Sequence, residues 1–201
     1  MKKVLFTLIA GLIIFVIACS PKTITSASTS EGKTETVTPP ATTETNGYVI
    51  NVLNPDLASP RKEMKGMIDG VNIMINYGSP FAKGRQILNG LIPFGKVWRT
   101  GANEATTFEI SKDLKVEGKL LPAGKYGFFT LSNEGSCEII FNSTYDQWGA
   151  YDYDSGKDVL RVIVKPSVSE LPIESMDFKI INNTIMVVWE KVAIPFEVEP
   201  G

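Results

Sequence analysis

A strict alternation of apolar and polar positions over residues 71–77 is the feature that most constrains what this chain can fold into. In the segment VNIMINY every odd-numbered residue is large and apolar, and two of the three even-numbered residues are asparagines. A period of two is typical of a β-strand with one buried face. The pair Asp69-Gly70 joins this segment to a second strand-like segment, KEMKGMI, and predicts a type I′ hairpin because glycine accepts a positive φ.

Short strand-like segments continue to the C-terminus and are separated by turn residues, as at Asn182-Asn183. They are TTFEI, LKVEG, LPAGKYGFFTLS, CEIIFN, DVLRVIVKP, ESMDFKII, TIMVVWEK and AIPFEVE. No part of the chain has the 3.6-residue period of a long helix. About nine short strands with frequent turns are typical of an all-β fold. We therefore predict a single antiparallel β-sandwich over residues 48–201, with barrel-like closure as the alternative.

The N-terminus has the pattern of a secretory signal. Two lysines precede an apolar run that ends at Ala18, and Cys19 follows directly. The run is shorter than the roughly 20 residues that a bilayer-spanning helix needs, and its order of charges and apolar residues is that of a signal peptide, predicted over residues 1–18. The segment Val16-Ile17-Ala18-Cys19 resembles a bacterial lipobox. We therefore predict that Cys19 is lipidated and anchors the chain to a lipid bilayer, with an uncleaved short anchor as the alternative.

Residues 19–47 are rich in Ser, Thr and Pro and contain almost no large apolar residue. Such a segment buries too little apolar surface to offset the entropy of ordering it, which predicts a flexible tether. Together with the lipobox, it predicts a protein of the bacterial cell envelope. Ser20 after Cys19 favours the outer membrane, with the domain facing the periplasm.

The complete absence of histidine limits the chemistry open to this chain. Ser-His-Asp and Cys-His catalysis and His-ligated metal sites are excluded. If Cys19 is lipidated, Cys137 has no second cysteine for a disulfide or a thiolate cluster. We therefore predict no metal and no cofactor. The net charge of −2 and the lack of a basic stripe argue against a nucleic-acid partner.

Two stretches interrupt the strand pattern, residues 78–106 and residues 144–158. Long connections in compact domains are often functional, and both stretches combine aromatic rings with groups that bind polar ligands. We expect the two stretches to meet in space and to share one cleft. The candidate ligand-binding residues are Arg85, Trp98, Arg99, Asn103, Glu104, Trp148 and Tyr151.

Each stretch also has a purely structural interpretation. In the first stretch, this interpretation has Arg99 pair with Glu104 across the turn at Gly101. In the second stretch, it has the aromatic residues pack in the core and the acidic residues form a solvated turn. The spacing of acidic residues in DYDSGKD resembles the start of a calcium loop, but the turn glycine and the final glutamate of such loops are missing.

Several motifs of the domain resemble a known family. They are GRQILNGLIPFGKVWRTGANEATTFEIS, LPAGKYGFFTL, IIFN, WGAYDY and DVLRVIVKP, of which WRTGANEAT is the most specific. Over roughly residues 58–190 the chain resembles domain-of-unknown-function family 2911, which is found in bacterial secreted proteins and lipoproteins. The resemblance implies an all-β envelope domain without an established activity, and it carries over no catalytic residue.

Three functions remain open at this point. The leading hypothesis is a non-enzymatic binding module for a polar ligand, either a glycan or a carboxylated molecule. The first alternative is a carboxylate-dependent, glycosidase-like hydrolase that uses Glu104 with Asp152 or Asp154. Such an enzyme holds its two carboxyl groups about 5–5.5 Å or about 6.5–9.5 Å apart, depending on its stereochemistry. The second alternative is a structural or protein-interaction domain.

Overall fold

The computed structural model describes residues 42–45 and 47–201. The predicted signal peptide, the lipidation site Cys19 and residues 19–41 of the predicted tether lie outside the described residues. No described segment forms a helix long and apolar enough to cross a membrane. The described residues form thirteen strands and one short 3-10 helix.

The strands are β1 Thr42–Thr45, β2 Tyr48–Val52, β3 Arg61–Ile68, β4 Val71–Gly78, β5 Val97–Trp98, β6 Thr106–Ile110, β7 Leu114–Val116, β8 Lys119–Leu121, β9 Gly124–Asn133, β10 Ser136–Asn142, β11 Asp158–Val164, β12 Ser167–Ile181 and β13 Thr184–Pro200, with the 3-10 helix at Ser155–Lys157.

The strands form two antiparallel sheets. The larger sheet has the order β1-β2-β3-β4-β6-β9-β10-β11, and β5 pairs with β9 beyond the end of β6. The smaller sheet has the order β12-β13-β7-β8. Neither sheet closes on itself within the described residues, so the prediction of an antiparallel sandwich is confirmed and barrel-like closure is not observed.

The predicted hairpin at Asp69-Gly70 is confirmed. Both residues have a positive φ, 46° for Asp69 and 80° for Gly70, as a type I′ turn requires. The turn sets the register of β3 on β4, in which Ile68 pairs with Val71. Along β4 the odd-numbered residues from Val71 to Tyr77 are buried in the core. The apolar positions of the alternating pattern thus form the inward-facing side of β4.

Aromatic side chains fill the space between the two sheets. Phe128 of β9 lies 5.6 Å from Phe178 of β12 and 5.8 Å from Phe196 of β13, measured between ring centroids. Such pairs contribute about 0.5–1.5 kcal/mol each beyond the burial of their area. Cys137 lies in the same core, and burial raises the pKa of its thiol to about 11. This thiol therefore packs as a small apolar group and stays protonated at neutral pH.

The two longest strands differ from the short segments expected from the sequence. Strands β12 and β13 run for 15 and 17 residues because irregularities in pairing let them continue through the breaks in the sequence pattern. The register of β12 shifts on both sides of Ile173, and Glu190 of β13 has a φ of 53°. Strand β1 lies within the residues predicted as a tether and pairs with β2. Ordered pairing therefore begins before Tyr48.

Candidate functional site

The WRTGANEAT segment contains the loop at residues 99–105, between β5 and β6, and backbone hydrogen bonds close this loop on itself. The N–H of Thr106 donates to the carbonyl of Arg99 (3.2 Å), and the Thr106 hydroxyl donates to the carbonyl of Thr100 (2.8 Å). The N–H of Ala102 donates to the carbonyl of Gly78 (3.2 Å). A Cβ at Gly78 would lie 2.1 Å from the carbonyl oxygen of Ala102. Only glycine therefore allows β4 to approach the loop this closely.

Thr100 holds an unusual conformation within the loop. It is fully buried and has a φ of 51°, which is rare for a β-branched residue. Its hydroxyl contacts the hydroxyl of Thr130 (3.1 Å) and donates to the carbonyl of Trp98 (3.3 Å). Such a conformation costs about 1–3 kcal/mol and persists only where the surroundings impose it. The loop shape is therefore held from outside by packing.

Arg61 of β3 is the main side-chain brace of this loop. Its Nε donates to the side-chain oxygen of Asn76. Its Nη1 lies 3.3 Å from the carbonyl of Glu104 and 3.4 Å from the Glu104 carboxylate, and its Nη2 lies 3.3 Å from the carbonyls of Asn76 and Ala105. These acceptors use every N–H group that a guanidinium has. Burial lowers the pKa of Arg61, and the Glu104 carboxylate partly offsets this.

This arrangement corrects the expected pairing of Arg99 with Glu104. Glu104 pairs with Arg61 at 3.4 Å, and no ion pair joins Glu104 to Arg99 among the described residues. The sequence favoured Arg99 because it is only five positions away. The fold instead brings Glu104 to a residue 43 positions distant.

The second irregular stretch lies directly against the first, as predicted. Glu104 and Trp148 form an antiparallel β-bridge. On either side of the bridge, the N–H of Ala105 donates to the carbonyl of Gln147 and the N–H of Gly149 donates to the carbonyl of Asn103, both at 3.0 Å. We call these two paired segments, residues 99–105 and 147–151, the loop junction.

The second stretch is also held to the outer face of the larger sheet. Ring centroids of Tyr153 and Phe129 lie 5.1 Å apart, within a small apolar cluster that includes Ile140. The Tyr153 hydroxyl donates to Asp158 (2.7 Å) and accepts from Arg161. Burial and the bond to Asp158 raise the pKa of Tyr153 to about 12. The aromatic turn at residues 147–151 is thus fixed at both of its ends.

Arg99 differs from the other three arginines of the chain. Its side chain is half-buried, and its Nε is fully buried without a hydrogen-bond partner. Within the described residues, no carboxylate forms an ion pair with it. Burial lowers the pKa of Arg99, and the nearby Tyr151 partly offsets this effect. Arg99 is therefore a partly desolvated cation without an anion.

Two aromatic side chains of the loop junction are exposed. Tyr151 is 84% exposed and Trp148 is 57% exposed. The Tyr151 ring rests against the backbone of Gly149, where an added Cβ would lie 3.2 Å from the ring. The Asn103 residue is half-buried with a φ of 64°, and its side-chain amide has no partner within the described residues. The junction thus offers a cation, two aromatic rings and a free amide on an ordered backbone.

The remaining predicted residues have other contacts. Trp98 faces the core, where its ring stacks on Trp189 with centroids 6.0 Å apart. Arg85 donates to the carbonyls of Phe81 and Ala82 in its own loop, at 2.7 and 2.9 Å. The side chains of these two residues thus already have contacts within the fold.

The two aspartates proposed for catalysis also differ in their surroundings. Asp154 caps the 3-10 helix by accepting from the N–H of Gly156 (2.9 Å). Asp152 is exposed. Of the three candidate carboxylates, two therefore already serve the local structure, Glu104 with Arg61 and Asp154 as a cap.

A surface cavity of about 340 Å³ lies beside the junction and is lined by residues of both irregular stretches, in agreement with the shared cleft expected from the sequence. Lys125 lines it with its Nζ 5.2 Å from the centroid of the Tyr145 ring and 3.8 Å from Glu109. Gln147 lines it too, and its side-chain oxygen is buried without a partner. Long-range pairing brings these residues together, so no local motif marks the cavity. Arg61, also in its lining, was missed for the same reason.

Comparison with known proteins places the chain in a family. No curated protein and no solved structure matches it. The family model described as a protein of unknown function, DUF2911, matches residues 59–198. The match includes both segments of the loop junction and all strands from β3 to β12. The chain therefore belongs to the DUF2911 family, as its WRTGANEAT motif predicted.

Proposed function

We propose that this protein is an envelope lipoprotein whose sandwich domain binds a polar ligand with an anionic group at the loop junction, without catalysing a reaction. The observation that carries the proposal is Arg99, a half-buried guanidinium whose Nε has no partner within the described residues. Leaving a buried donor unsatisfied costs about 1–3 kcal/mol. The Nη groups of Arg99 also have no hydrogen-bond or ion-pair partner within the described residues, and unlike Nε they are not buried. They are the donors that a ligand can reach.

The chemistry of arginine narrows the ligand. The planar guanidinium matches a carboxylate with two parallel hydrogen bonds, which are short and strong. Arg61, Arg85 and Arg161 already have acceptors within the protein. Arg99 is therefore the arginine that remains for an external carboxylate.

The rigidity of the junction favours binding. Arg61 holds residues 104 and 105, and Tyr153 holds the aromatic turn through Asp158 and Arg161. A site that is ordered before the ligand arrives loses little conformational entropy on binding. The contacts of Arg61 and Tyr153 thus support the proposal that the junction is an ordered binding site.

No observation favours the hydrolase alternative. A general acid needs a carboxyl group that stays protonated and is free to reach the substrate. Glu104 forms an ion pair with Arg61, and Asp154 caps a helix, so both carboxylates already have partners within the protein. The protein-interaction alternative likewise has no observation of its own.

The envelope location rests on the N-terminal pattern and is tested separately. We expect the wild-type chain to incorporate a labelled fatty acid when it is expressed in bacteria. The Cys19→Ser variant removes the acceptor thiol and accumulates as a larger, unlabelled precursor. Labelling that persists in Cys19→Ser would contradict the lipoprotein assignment.

The binding proposal is tested by a thermal-shift screen of the purified protein against neutral sugars, sugar acids, amino acids and short peptides. We expect stabilisation by a carboxylated ligand. It should be lost in Arg99→Ala and in Arg99→Lys, because lysine keeps the charge but not the paired donors. Arg85→Ala is the matched control and should respond as the wild type does. An unchanged response in both Arg99 variants would show that the junction is structural only.

A further inference from the structure

We infer that Asn89 is a site of spontaneous covalent modification, at which the side-chain amide is converted to aspartate or isoaspartate in the folded protein. This inference is independent of the proposed function. Its basis is the turn at Asn89-Gly90, where an exposed amide without a partner among the described residues precedes an unhindered backbone nitrogen. We call residues 86–92, which form this turn, the Asn89 loop.

The reaction at Asn89 needs no partner other than water. Asparagine is among the chemically labile residues of proteins. The backbone nitrogen of Gly90 attacks Cγ of Asn89 and a carbon–nitrogen bond forms, while the proton of that nitrogen and the side-chain NH₂ leave together as ammonia. Water then opens either carbonyl of the resulting succinimide, which gives aspartate or isoaspartate. The net change replaces one amide by one carboxylate.

Both reacting groups are accessible and weakly held. Asn89 and Gly90 are exposed, so water and hydroxide reach them. No hydrogen bond holds the side-chain amide of Asn89 within the part of the chain that the structure describes. The N–H of Gly90 lies 3.4 Å from the carbonyl of Ile87, which is longer than the usual range of about 2.7–3.2 Å. The amide can therefore rotate towards a nitrogen that is only loosely bonded.

The fold itself favours this pair of residues. Asn89 has a φ of 55°, in a region where asparagine is several-fold enriched. A Cβ at Gly90 would lie 2.3 Å from the carbonyl oxygen of Gln86, so only glycine lets the chain turn this closely. The missing Cβ also removes the steric hindrance that a side chain at this position would place on ring closure. The residues that allow the loop to close are thus the ones that make it reactive.

An isoaspartate at position 89 loosens the Asn89 loop. It adds a carbon atom to the main chain directly after the N–H of Asn89, which donates to the carbonyl of Ile92 (2.9 Å). On the other side of the insertion, the N–H of Leu91 donates to the carbonyl of Gln86 (3.0 Å). Ile87 and Ile92 are buried in the core. The modification therefore weakens the contact between this loop and the core.

The test incubates the purified full-length protein at mildly alkaline pH and follows its tryptic peptides by mass spectrometry. Asn89 is the sole asparagine of the peptide at residues 86–96. Asn182 is the internal control because it is also exposed and has a φ of 53°, but Asn183 follows it instead of a glycine. We expect Asn89 to be converted at least about tenfold faster than Asn182, with isoaspartate among the products.

The Asn89→Gly variant separates this modification from other changes during the incubation. Glycine accepts a positive φ, so we expect the variant to fold. Wild-type protein converted to isoaspartate should lose about 2–4 °C in melting temperature for each loop hydrogen bond that is broken, whereas Asn89→Gly should keep its melting temperature. The variant retains Asn46-Gly47, the second Asn-Gly pair of the chain, so any effect of that pair is the same in both proteins.

The outcomes decide the inference directly. Conversion of Asn89 at the rate of Asn182 would show that the loop protects its amide, and the inference would be wrong. Conversion that occurs only after unfolding in urea would be a property of the sequence and would equally contradict a site in the folded protein. An equal fall in melting temperature for wild type and Asn89→Gly would overturn the predicted loosening of the loop.

Discussion

Arg61 contacts the loop at residues 99–105 and Arg99 is the first residue of that loop, but their guanidinium groups have opposite surroundings. Arg61 reaches the loop from β3 and uses all of its donors on Asn76, Glu104 and Ala105. Arg99 is the first residue of the loop and has a buried Nε without a partner among the described residues. Burial lowers the pKa of both, but only Arg61 has a carboxylate beside it.

The comparison shows that Arg61 can hold the loop closed while the guanidinium of Arg99 keeps its donors unused. If Arg99 were the brace, its donors would be spent on the loop and the junction would offer a ligand no charge. Because Arg61 supplies the brace from a neighbouring strand, the loop keeps its shape without Arg99. Substitutions of the residues that hold the loop test this division of roles.

Gly78→Ala should break the support that both arginines share. The new Cβ would lie 2.1 Å from the carbonyl oxygen of Ala102, so β4 and the loop must separate. We expect a loss of about 4 kcal/mol or more in the free energy of unfolding, measured by urea denaturation. Gly156→Ala is the control, since its Cβ meets only the side chain of Asp154, at 3.2 Å. Equal stability of the two variants would show that the loop does not depend on this close approach.

Arg61→Ala and Arg99→Ala test the division directly. Removing Arg61 leaves the carbonyls of Asn76, Glu104 and Ala105 without their donor, and we expect a loss of about 3–5 kcal/mol. At about 2–4 °C for each kcal/mol, the melting temperature should fall by about 10 °C. Arg99→Ala removes no internal hydrogen bond of its side chain among the described residues, so a shift within about 3 °C is expected.

The two variants should differ in ligand response as well as in stability. Arg99→Ala should lose binding while it stays folded, which thermal shift with and without the carboxylated ligand from the screen measures. A fall of ten degrees for Arg99→Ala, with little change for Arg61→Ala, would reverse the roles assigned to the two residues.

Tyr153→Phe tests the brace of the aromatic turn. It removes the hydroxyl between Asp158 and Arg161, and we expect a loss of about 1–2 kcal/mol at neutral pH. Because the folded pKa of Tyr153 is raised from 10.0 to about 12, this contribution is complete below pH 10 and is lost as the pH rises through 12. The difference between wild type and variant should therefore shrink over this range in urea denaturation. A difference that stays constant would contradict the assigned hydrogen bonds.

The fold was predictable where local patterns determine it. The turn at Asp69-Gly70 and the alternation in β4 depend on neighbouring residues, and both were predicted correctly. Strands β12 and β13 were less predictable because their length depends on bulges at Ile173 and Glu190, which pairing with a partner strand stabilises. The breaks expected within β12 and β13 correspond to irregular positions in these strands, which the sheet accommodates without ending either strand.

The site was predictable in its position but not in its internal pairing. The meeting of the two irregular stretches was predicted from their composition and is observed at the Glu104–Trp148 bridge. The prediction that Glu104 pairs with Arg99 was wrong because the sequence shows only near neighbours, whereas the actual partner, Arg61, is 43 positions away. Trp98 was a candidate for the ligand because sequence alone does not show which face of a short strand points to the core.

The distribution of the three tryptophans gives the junction its own optical signal. Trp98 and Trp189 form a stacked pair packed against the core, and Trp148 stands at the bridge with 57% of its surface exposed. An aqueous quencher such as iodide should therefore reduce the red-edge emission of Trp148 and leave the emission of the stacked pair. Any molecule that settles on the junction shields that one indole. Intrinsic fluorescence, without a label, thus reports occupancy at this place while the other two rings monitor whether the sandwich is intact.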